Sequence, residues 1–519
     1  MQKLEKLQFI KNVGSNWIAL ATDVLVGFFL SPFILHRLGD AAFGIWVLIF
    51  SITGYYGLFD LGIRSSLVRY VSKAKATGDM EYATRVINTS LFSYTCIGTF
   101  AFLITIALSA SVDSLFHIDP QFHNTARWLL LMVGSAVSLG FPLGISGGVL
   151  EGLQRFDVAS LTRIVQTLLK AVLIVFFLTR GFGLLTVAFI TVTLPILSAL
   201  VCSVIALRIL PVRIGLSYVD RETFREIARY SGVMLIMIIS GRLRFRTDAI
   251  VIGTFLSSVA ITYFNIGARI VDYAGEVVEG LAQLFVPMSS HSEATGNVNR
   301  LRLILIAGNR FCAFIIFPLC ALLVILGKSV IEVWVGKRYV AQSYPVLLLI
   351  LIPSTLMLSQ LASGRLLVGS GKHRTWAVMT LVEGVANLVL SILLVRPYGI
   401  IGDALGTAIP LSATAIFFLP AHVCRKVQVS LGFFLRQAYT LPLVLCAPLI
   451  VTLLLMKRWF VPHTYLQLLA HVTIAAAVYG LALSWAFVSR RALRVGQLQT
   501  SPDEAALDAA AVETYQQDI

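Results

Sequence analysis

Charge is the scarcest commodity in this chain of 519 residues: Asp, Glu, Lys and Arg together make up 13%, about half the share of an average soluble domain. That scarcity excludes a soluble globular enzyme and a disordered chain. Acid is scarcer than base, 26 residues against 41, for a net charge of +15. In a membrane protein such an excess belongs to cytoplasmic loops, so it does not by itself call for nucleic acid. The six cysteines (Cys96, Cys202, Cys312, Cys320, Cys424, Cys446) show no C-x-x-C spacing and no paired histidines. Zinc-ribbon and disulfide frameworks are therefore excluded, and the cysteines are expected to be packing residues. Long polar loops are also missing. The longest outer one, around Ser111–Arg127, cannot hold a folded domain. The ten-residue alternation of an outer-membrane barrel is absent too.

What is present is apolar: 57% of residues are hydrophobic, and the mean hydropathy is +0.85. A helix needs about 20 apolar residues to cross the hydrocarbon. On that rule the sequence predicts an all-α integral membrane protein with about 14 spans: 14–35, 41–63, 87–110, 128–150, 159–179, 184–207, 231–256, 262–287, 303–326, 343–367, 376–396, 400–422, 433–456 and 464–488. With the N-terminus inside, Lys and Arg of inner segments outnumber those of outer loops by about three to one. That predicts a multi-pass protein of the cytoplasmic (inner) membrane with both termini cytoplasmic. Lys3, Lys6 and Lys11 ahead of Ala19-Leu20-Ala21 imitate a signal peptide, but the apolar run continues to Leu35. Cleavage would cut a span in half, so no processing is expected. The tail beyond Arg494 carries Asp503, Glu504, Asp508, Glu513 and Asp518 and reads as a polar appendage.

The two halves of the chain repeat. Gly14 matches Gly232, Ala76-Thr77-Gly78-Asp79 matches Ala294-Thr295-Gly296-Asn297, and Ser146–Gly152 resembles Ser363–Gly369, all at an offset of 217 or 218. A repeat of six spans keeps its orientation, and parallel repeats bind substrate between them. The predicted organisation is a six-helix lobe over 1–210, a cytoplasmic linker over 211–230 and a second six-helix lobe over 231–425. Two additional helices follow over 430–490, then a tail over 491–519.

Charges within spans are costly and mark cavities or partners. The seventh span carries Arg242, Arg244, Arg246 and Asp248, with Arg242 roughly 15 Å deep. The eighth carries Arg269, with Asp272, Glu276 and Glu279 on one face. Elsewhere lie Asp23, Asp60 with Arg64, Lys170, and Glu383 with Asn387 one turn on. One reading makes these interhelical ion pairs, Arg246–Asp272 for example. The sharper reading is a hydrated cavity in which Arg242, Arg244, Arg246, Arg269, Lys170 and Arg64 bind a phosphorylated anion through bidentate contacts, with Tyr55 and Tyr56 lining it or packing. Asp248, Asp272, Glu276, Glu279, Glu383, Asn387, Asp60 and Asp23 are then candidates for a coupling H⁺ or Na⁺. No other cofactor is called for. His117, Asp119 and His123 have metal-like spacing in an outer loop but lack a further ligand. No metal site is expected.

The run Leu38-Gly39-Asp40-Ala41-Ala42-Phe43-Gly44-Ile45-Trp46, then Tyr55-Tyr56-Gly57-Leu58-Phe59-Asp60-Leu61-Gly62-Ile63, then Arg69-Tyr70-Val71 resembles the N-terminal signature of polysaccharide-biosynthesis (Wzx-type) flippases. These belong to the MOP exporter superfamily, beside MATE drug exporters and lipid II flippases. The resemblance is most specific over 10–90 and diffuse to about 430. It implies a two-lobed V-shaped bundle with alternating access. It implies movement of an undecaprenyl-diphosphate-linked oligosaccharide from inner to outer leaflet, driven by ion antiport, with membrane lipids and polysaccharide polymerase machinery as partners. The last two helices resemble the pair that lipid II flippases add, although no motif over Phe433–Phe487 marks a lipid groove. A MATE-like cation or drug antiporter and a lipid II flippase remain the alternatives. A membrane-bound glycan polymerase or glycosyltransferase fits less well, since Asp113, Asp119 and Glu332 lack a catalytic setting. The expectation is a transporter and not an enzyme.

Overall fold

Local chemistry sets the helix ends in a computed structural model that describes residues 2–227, 239 and 247–489. The described helices are α1 (Gln2–Leu38), α2 (Asp40–Gly54), α3 (Ile63–Thr77), α4 (Met80–Leu115), α5 (His123–Leu143), α6 (Ile145–Gly152), α7 (Phe156–Thr179), α8 (Leu184–Ile209) and α9 (221–227). They continue with α10 (Asp248–Phe255), α11 (Ser258–Ala282), α12 (Phe285–Ala294), α13 (Val298–Trp334), α14 (Val340–Ser359), α15 (Leu361–Gly369), α16 (His373–Ala413), α17 (Leu419–Val427), α18 (Leu431–Trp459) and α19 (Tyr465–Val488). The described residues contain no strand. The chain is an all-α multi-pass membrane protein.

Eleven helical segments among the described residues are long and apolar enough to cross a membrane. One of them, Arg374–Val427, is 54 residues long and covers two expected spans. It reverses at Gly399, whose φ of 58° and ψ of −140° break the helix in a region open to glycine. Past the turn the Ser391 hydroxyl reaches the Asp403 carbonyl at 3.3 Å. Gly402 meets Leu394 so closely that a Cβ there would lie 1.9 Å from its carbonyl oxygen. Charge rather than length keeps α11 out of the apolar set, because Arg269, Asp272, Glu276 and Glu279 all lie on it. Of the seventh expected span, α10 is described, while 231–238 and 240–246 lie outside the described residues. The same holds for the tail over 491–519.

Packing divides the chain into two compact units, residues 1–265 with 384–406, and residues 266–383 with 407–519. In the first, α3 and α6 enclose a core of Leu67, Val71, Val86, Leu150 and Leu153. Gly78 (φ 72°) ends α3, and the Asp79 side chain then caps α4 by accepting from Tyr82 N. Gly152 lets α6 approach α3 so closely that a Cβ would lie 3.0 Å from the Val68 carbonyl oxygen. The second unit repeats each device. Gly296 (φ 68°) follows α12, and Asn297 caps α13 by accepting from Arg300 N. Gly369 seats α15 on α12, where a Cβ would lie 2.4 Å from the Val286 carbonyl oxygen. Its core is Leu305, Leu366, Leu367, Val423 and Phe434. The sequence repeat is thus a repeat of turn, cap and close contact.

Helices α18 and α19 are built into the second unit. Arg310 of α13 donates to the Gln437 carbonyl from Nε (2.9 Å) and Nη2 (2.6 Å). The Tyr479 hydroxyl donates to the Phe314 carbonyl at 2.7 Å, and Lys457 Nζ to that of Ile325 at 2.5 Å. Thr464 and Gln467 form a reciprocal capping box at the start of α19, which satisfies two otherwise open amides.

Candidate functional site

The polar residues within the helices fall into four groups. On α1 and α7, the Asp23 carboxylate accepts from Arg163 at 2.5 Å and from the Thr167 hydroxyl at 2.6 Å. Lys170, one turn beyond Thr167, lies in the field of Asp23 and Arg163. Asp23, a candidate ion-coupling group by sequence, is thus paired with a helix α7 cation. Arg163 itself lies within α7.

On α3 and α6, Arg64 Nη2 bonds Glu151 Oε1 at 2.6 Å, and its guanidinium rests against Gly147. The Tyr94 hydroxyl donates to Asp60, and Arg64 also feels the Asp60 charge. Asp60 and Arg64 therefore belong to one network. Tyr56 is 3% exposed, and its hydroxyl pairs with that of Thr105 at 2.9 Å. It packs instead of lining a cavity, because its ring has no free face. Tyr55 is half-buried and pairs with the Thr247 hydroxyl at 2.6 Å.

On α11, Arg269 lies 3.6 Å from both Asp272 and Glu276, with its guanidinium 4.4 Å over the Tyr273 ring. These distances exceed direct hydrogen bonds, so the cation is attended but not locked. Glu279 is exposed further along the helix. Asp272 thus faces Arg269 of its own helix. The expected partner Arg246, with Arg242 and Arg244, lies outside the described residues.

The fourth group is in the first unit, on the α16 hairpin. Asp403 is wholly buried, and among the described residues neither of its carboxylate oxygens has a hydrogen-bond partner. It lies in the field of Asp248 on α10. The Ser391 hydroxyl beside it contacts Asn387 Oδ1 at 3.2 Å, and Asn387 and Ser391 are buried as well. An acid wholly buried among amide and hydroxyl oxygens, in the field of a second acid, has the chemistry that a candidate cation or proton site would need. Glu383, one turn before Asn387, is buried. Sequence reading named Asp248, Glu383 and Asn387 but missed Asp403, although it falls inside the predicted span 400–422. Arg310 was missed likewise, inside 303–326 and buried. Both are charges inside expected apolar spans, which is the signal the sequence carries for them.

Other features carry less chemistry. A cleft of about 850 Å³ beside α3, α4 and α9 is lined by Arg69, Arg85 and Arg225 but also by Asp220, Glu222 and Glu226. Matched charge makes it a poor anion trap. The ring nitrogens of His117 and His123 hydrogen-bond to the carbonyls of Thr254 (2.7 Å) and Ile118 (2.9 Å). Among the described residues no group of three His, Cys, Asp or Glu could hold a metal. All six cysteines are free, and Cys202, Cys312, Cys424 and Cys446 are buried.

Residues 9–293 match the family model described as polysaccharide biosynthesis protein. A protein of Shigella flexneri named "Putative O-antigen transporter" is 21% identical over 442 residues, covering 80% of this chain and 99% of that one. Among solved structures, the lipid II flippase MurJ in an inward closed conformation superposes with a TM-score of 0.70 at 15% identity, over 92% of this chain and 99% of that one. An inward-facing multidrug resistance MATE transporter of the MOP superfamily gives 0.66 at 18% identity, over 78% and 94%. The chain shares the fold of these two transporters.

Proposed function

The chain belongs to the polysaccharide biosynthesis protein family, and on that premise we propose that it is a flippase moving an undecaprenyl-diphosphate-linked oligosaccharide from the inner to the outer leaflet. It works by alternating access in the cytoplasmic membrane, with both termini inside, and hands its cargo to polysaccharide polymerase machinery. The moving parts are the six-helix lobes over 1–210 and 231–425. The count of fourteen spans, the linker over 211–230 and the tail over 491–519 belong to the same proposal. It transports and catalyses no covalent chemistry.

The observation that carries this reading is Arg269. It is a cation in the middle of α11, the helix of the eighth expected span, 3.6 Å from Asp272 and Glu276. A cation held that loosely can exchange carboxylate for phosphate at small cost, and its planar fork suits a diphosphate. Arg64 and Lys170 in the first unit and, by sequence, Arg242, Arg244 and Arg246 are further candidate contacts for the anion. Resetting is assigned to the acids: Asp403 with Asp248, Asn387 and Ser391 takes up H⁺ or Na⁺, which neutralises charge that the bilayer opposes. Glu276, Glu279, Glu383, Asp60 and Asp23 are secondary candidates.

The test is a deletion strain assayed for surface polysaccharide and for lipid-linked oligosaccharide on the cytoplasmic side. Loss of the polymer with lipid-linked units accumulating inside supports translocation. Normal surface glycan with altered sensitivity to cationic drugs would replace this reading with a MATE-like antiporter. Arrested cell-wall synthesis with an intact surface polymer would replace it with lipid II transport.

A further inference from the structure

The segment that follows α8 is pinned to α4. Asn88 and Thr89 of α4 are buried, yet both reach it. Asn88 Nδ2 donates to the Arg213 carbonyl at 2.8 Å, and its Oδ1 accepts from Gly215 N at 2.9 Å. The Thr89 hydroxyl accepts from Asp220 N at 3.1 Å, and the Tyr82 hydroxyl donates to Glu226 at 3.0 Å. The amide and hydroxyl satisfy backbone groups that have no helix to join. Pinning also sorts the apolar residues of the segment. Leu210, Val212 and Ile227 pack into the core of the first unit, whereas Ile214, Leu216 and Phe224 stay exposed at 59%, 77% and 50%.

Between this segment and the corner of α3 and α4 lies the cleft of about 850 Å³, a volume in the range of small-molecule sites. Arg69, Arg85 and Arg225 line it together with Asp220, Glu222 and Glu226. An anion alone would meet the acids, and a cation alone the arginines. A ligand that carries both charges side by side meets an opposite charge at each end. Arg85 already holds Glu81 at 2.8 Å, and Asp220 accepts from Thr223. The exposed side chains of Glu222 and Arg225 make no hydrogen bond or ion pair among the described residues. Arg85 just precedes the expected span 87–110, Arg225 precedes that over 231–256, and Arg69 follows that over 41–63. The cleft therefore opens in the headgroup layer that flanks the hydrocarbon.

We propose that this cleft binds the headgroup of a zwitterionic phospholipid, a phosphodiester joined to a primary ammonium, with Arg225 on the phosphate and Glu222 on the ammonium. The exposed Ile214, Leu216 and Phe224 of the same segment then lie against the acyl chains. A soluble zwitterion would leave those apolar side chains in water, whereas a lipid covers them. The headgroup joins α3 and α4 to α9, so it adds to the hold that Asn88 and Thr89 begin. All of these residues belong to the first packing unit. The site depends neither on the flippase reading nor on which membrane face is cytoplasmic, because both faces present headgroups.

The experiment places the full-length protein in lipid nanodiscs of phosphatidylglycerol mixed, at one ratio, with either phosphatidylethanolamine or phosphatidylcholine. It reads thermal unfolding and the lipid retained in native mass spectrometry. Phosphatidylethanolamine should be retained about tenfold better, because the quaternary ammonium of phosphatidylcholine donates no hydrogen bond to a carboxylate. It should also raise the unfolding temperature. Glu222→Gln and Arg225→Gln should each abolish that preference and leave unfolding in phosphatidylcholine unchanged, since both side chains are exposed. Arg208→Gln, outside the cleft, should keep the preference. Equal retention of the two lipids by the unmodified protein, or a preference that survives both cleft substitutions, would overturn the site. Loss with Arg225→Gln but not with Glu222→Gln would replace the zwitterion with an anion. Stabilisation by soluble glycerophosphoethanolamine as large as that by the lipid would overturn the lipid and assign the cleft to a soluble zwitterion.

Discussion

The two halves of the chain make the same glycine contact at different tightness, and that difference sets an ordered stability series. An added Cβ would lie 3.0 Å from the Val68 carbonyl oxygen at Gly152, 2.4 Å from that of Val286 at Gly369, and 1.7 Å from that of Ser258 at Gly44. Ordinary carbon-to-carbonyl contacts lie at about 3.3–3.6 Å. The helices must therefore part by about 0.4, 1 and 1.7 Å when alanine replaces glycine. Overpacking of this kind costs about 1–3 kcal/mol. Against it stands alanine's better helix propensity, up to about 1 kcal/mol in a helix interior and less at a helix end. Gly152→Ala should come out near neutral, because the gain and the small displacement offset each other. Gly369→Ala should lose about 1–2 kcal/mol, and Gly44→Ala about 3 kcal/mol or more, since its backbone partner cannot rotate away. The assay is thermal unfolding of each variant in the same lipid nanodisc, read by intrinsic fluorescence. Gly152→Ala destabilising the protein as much as Gly44→Ala would refute the argument that these glycines are fixed by distance to the opposing backbone.

The remaining expectations concern function and local structure. Asp403→Asn at normal expression should abolish surface polymer by removing the titratable group of the buried acid pair, and retained export would remove it from coupling. Arg269→Ala should lower complementation of a deletion strain more than tenfold, with Arg269→Lys intermediate because a point charge replaces a bidentate fork; equal activity of all three would unseat Arg269 from the cargo path. Asp220 accepts from the Thr223 hydroxyl (2.7 Å) and amide (2.8 Å), which hold its carboxyl below the ordinary carboxylate range. Its cap on α9 is therefore present at neutral and mildly acid pH, and is lost only as pH falls below about 4. Hydrogen exchange over 211–227 should show protection at pH 7 and 5 that weakens below about pH 4; Asp220→Ala, which has no acceptor, should lower it at every pH, and Asp220→Asn should keep it and remove the acid dependence. Thr464→Ala should cost about 1 kcal/mol by opening the α19 capping box, visible as earlier thermal unfolding.

Sequence alone determined the class, the helices and the repeat. Apolar runs of span length leave no other fold for a chain so poor in charge. The Gly-Asp and Gly-Asn pairs at 78–79 and 296–297 are local codes, because a left-handed glycine followed by a capping side chain needs no distant partner. The hairpin between the spans ending at 396 and starting at 400 was legible for the same reason. Pairing was not legible. That Asp23 meets Arg163, that Arg64 meets Glu151 and that Tyr56 is sealed against Thr105 depend on which helix faces touch, over separations of 140, 87 and 49 residues. Periodicity gives the apolar stripe of one helix but not its neighbour. Burial was not legible either: Asp403 and Arg310 look like any charge near a span end until tertiary packing removes the water around them. Sequence fixes what each helix can offer, because helix formation and membrane insertion are local in the chain. Only the tertiary structure decides which charges are neutralised and which stay available, because electrostatic energy depends on distance and solvent, and both are set by packing.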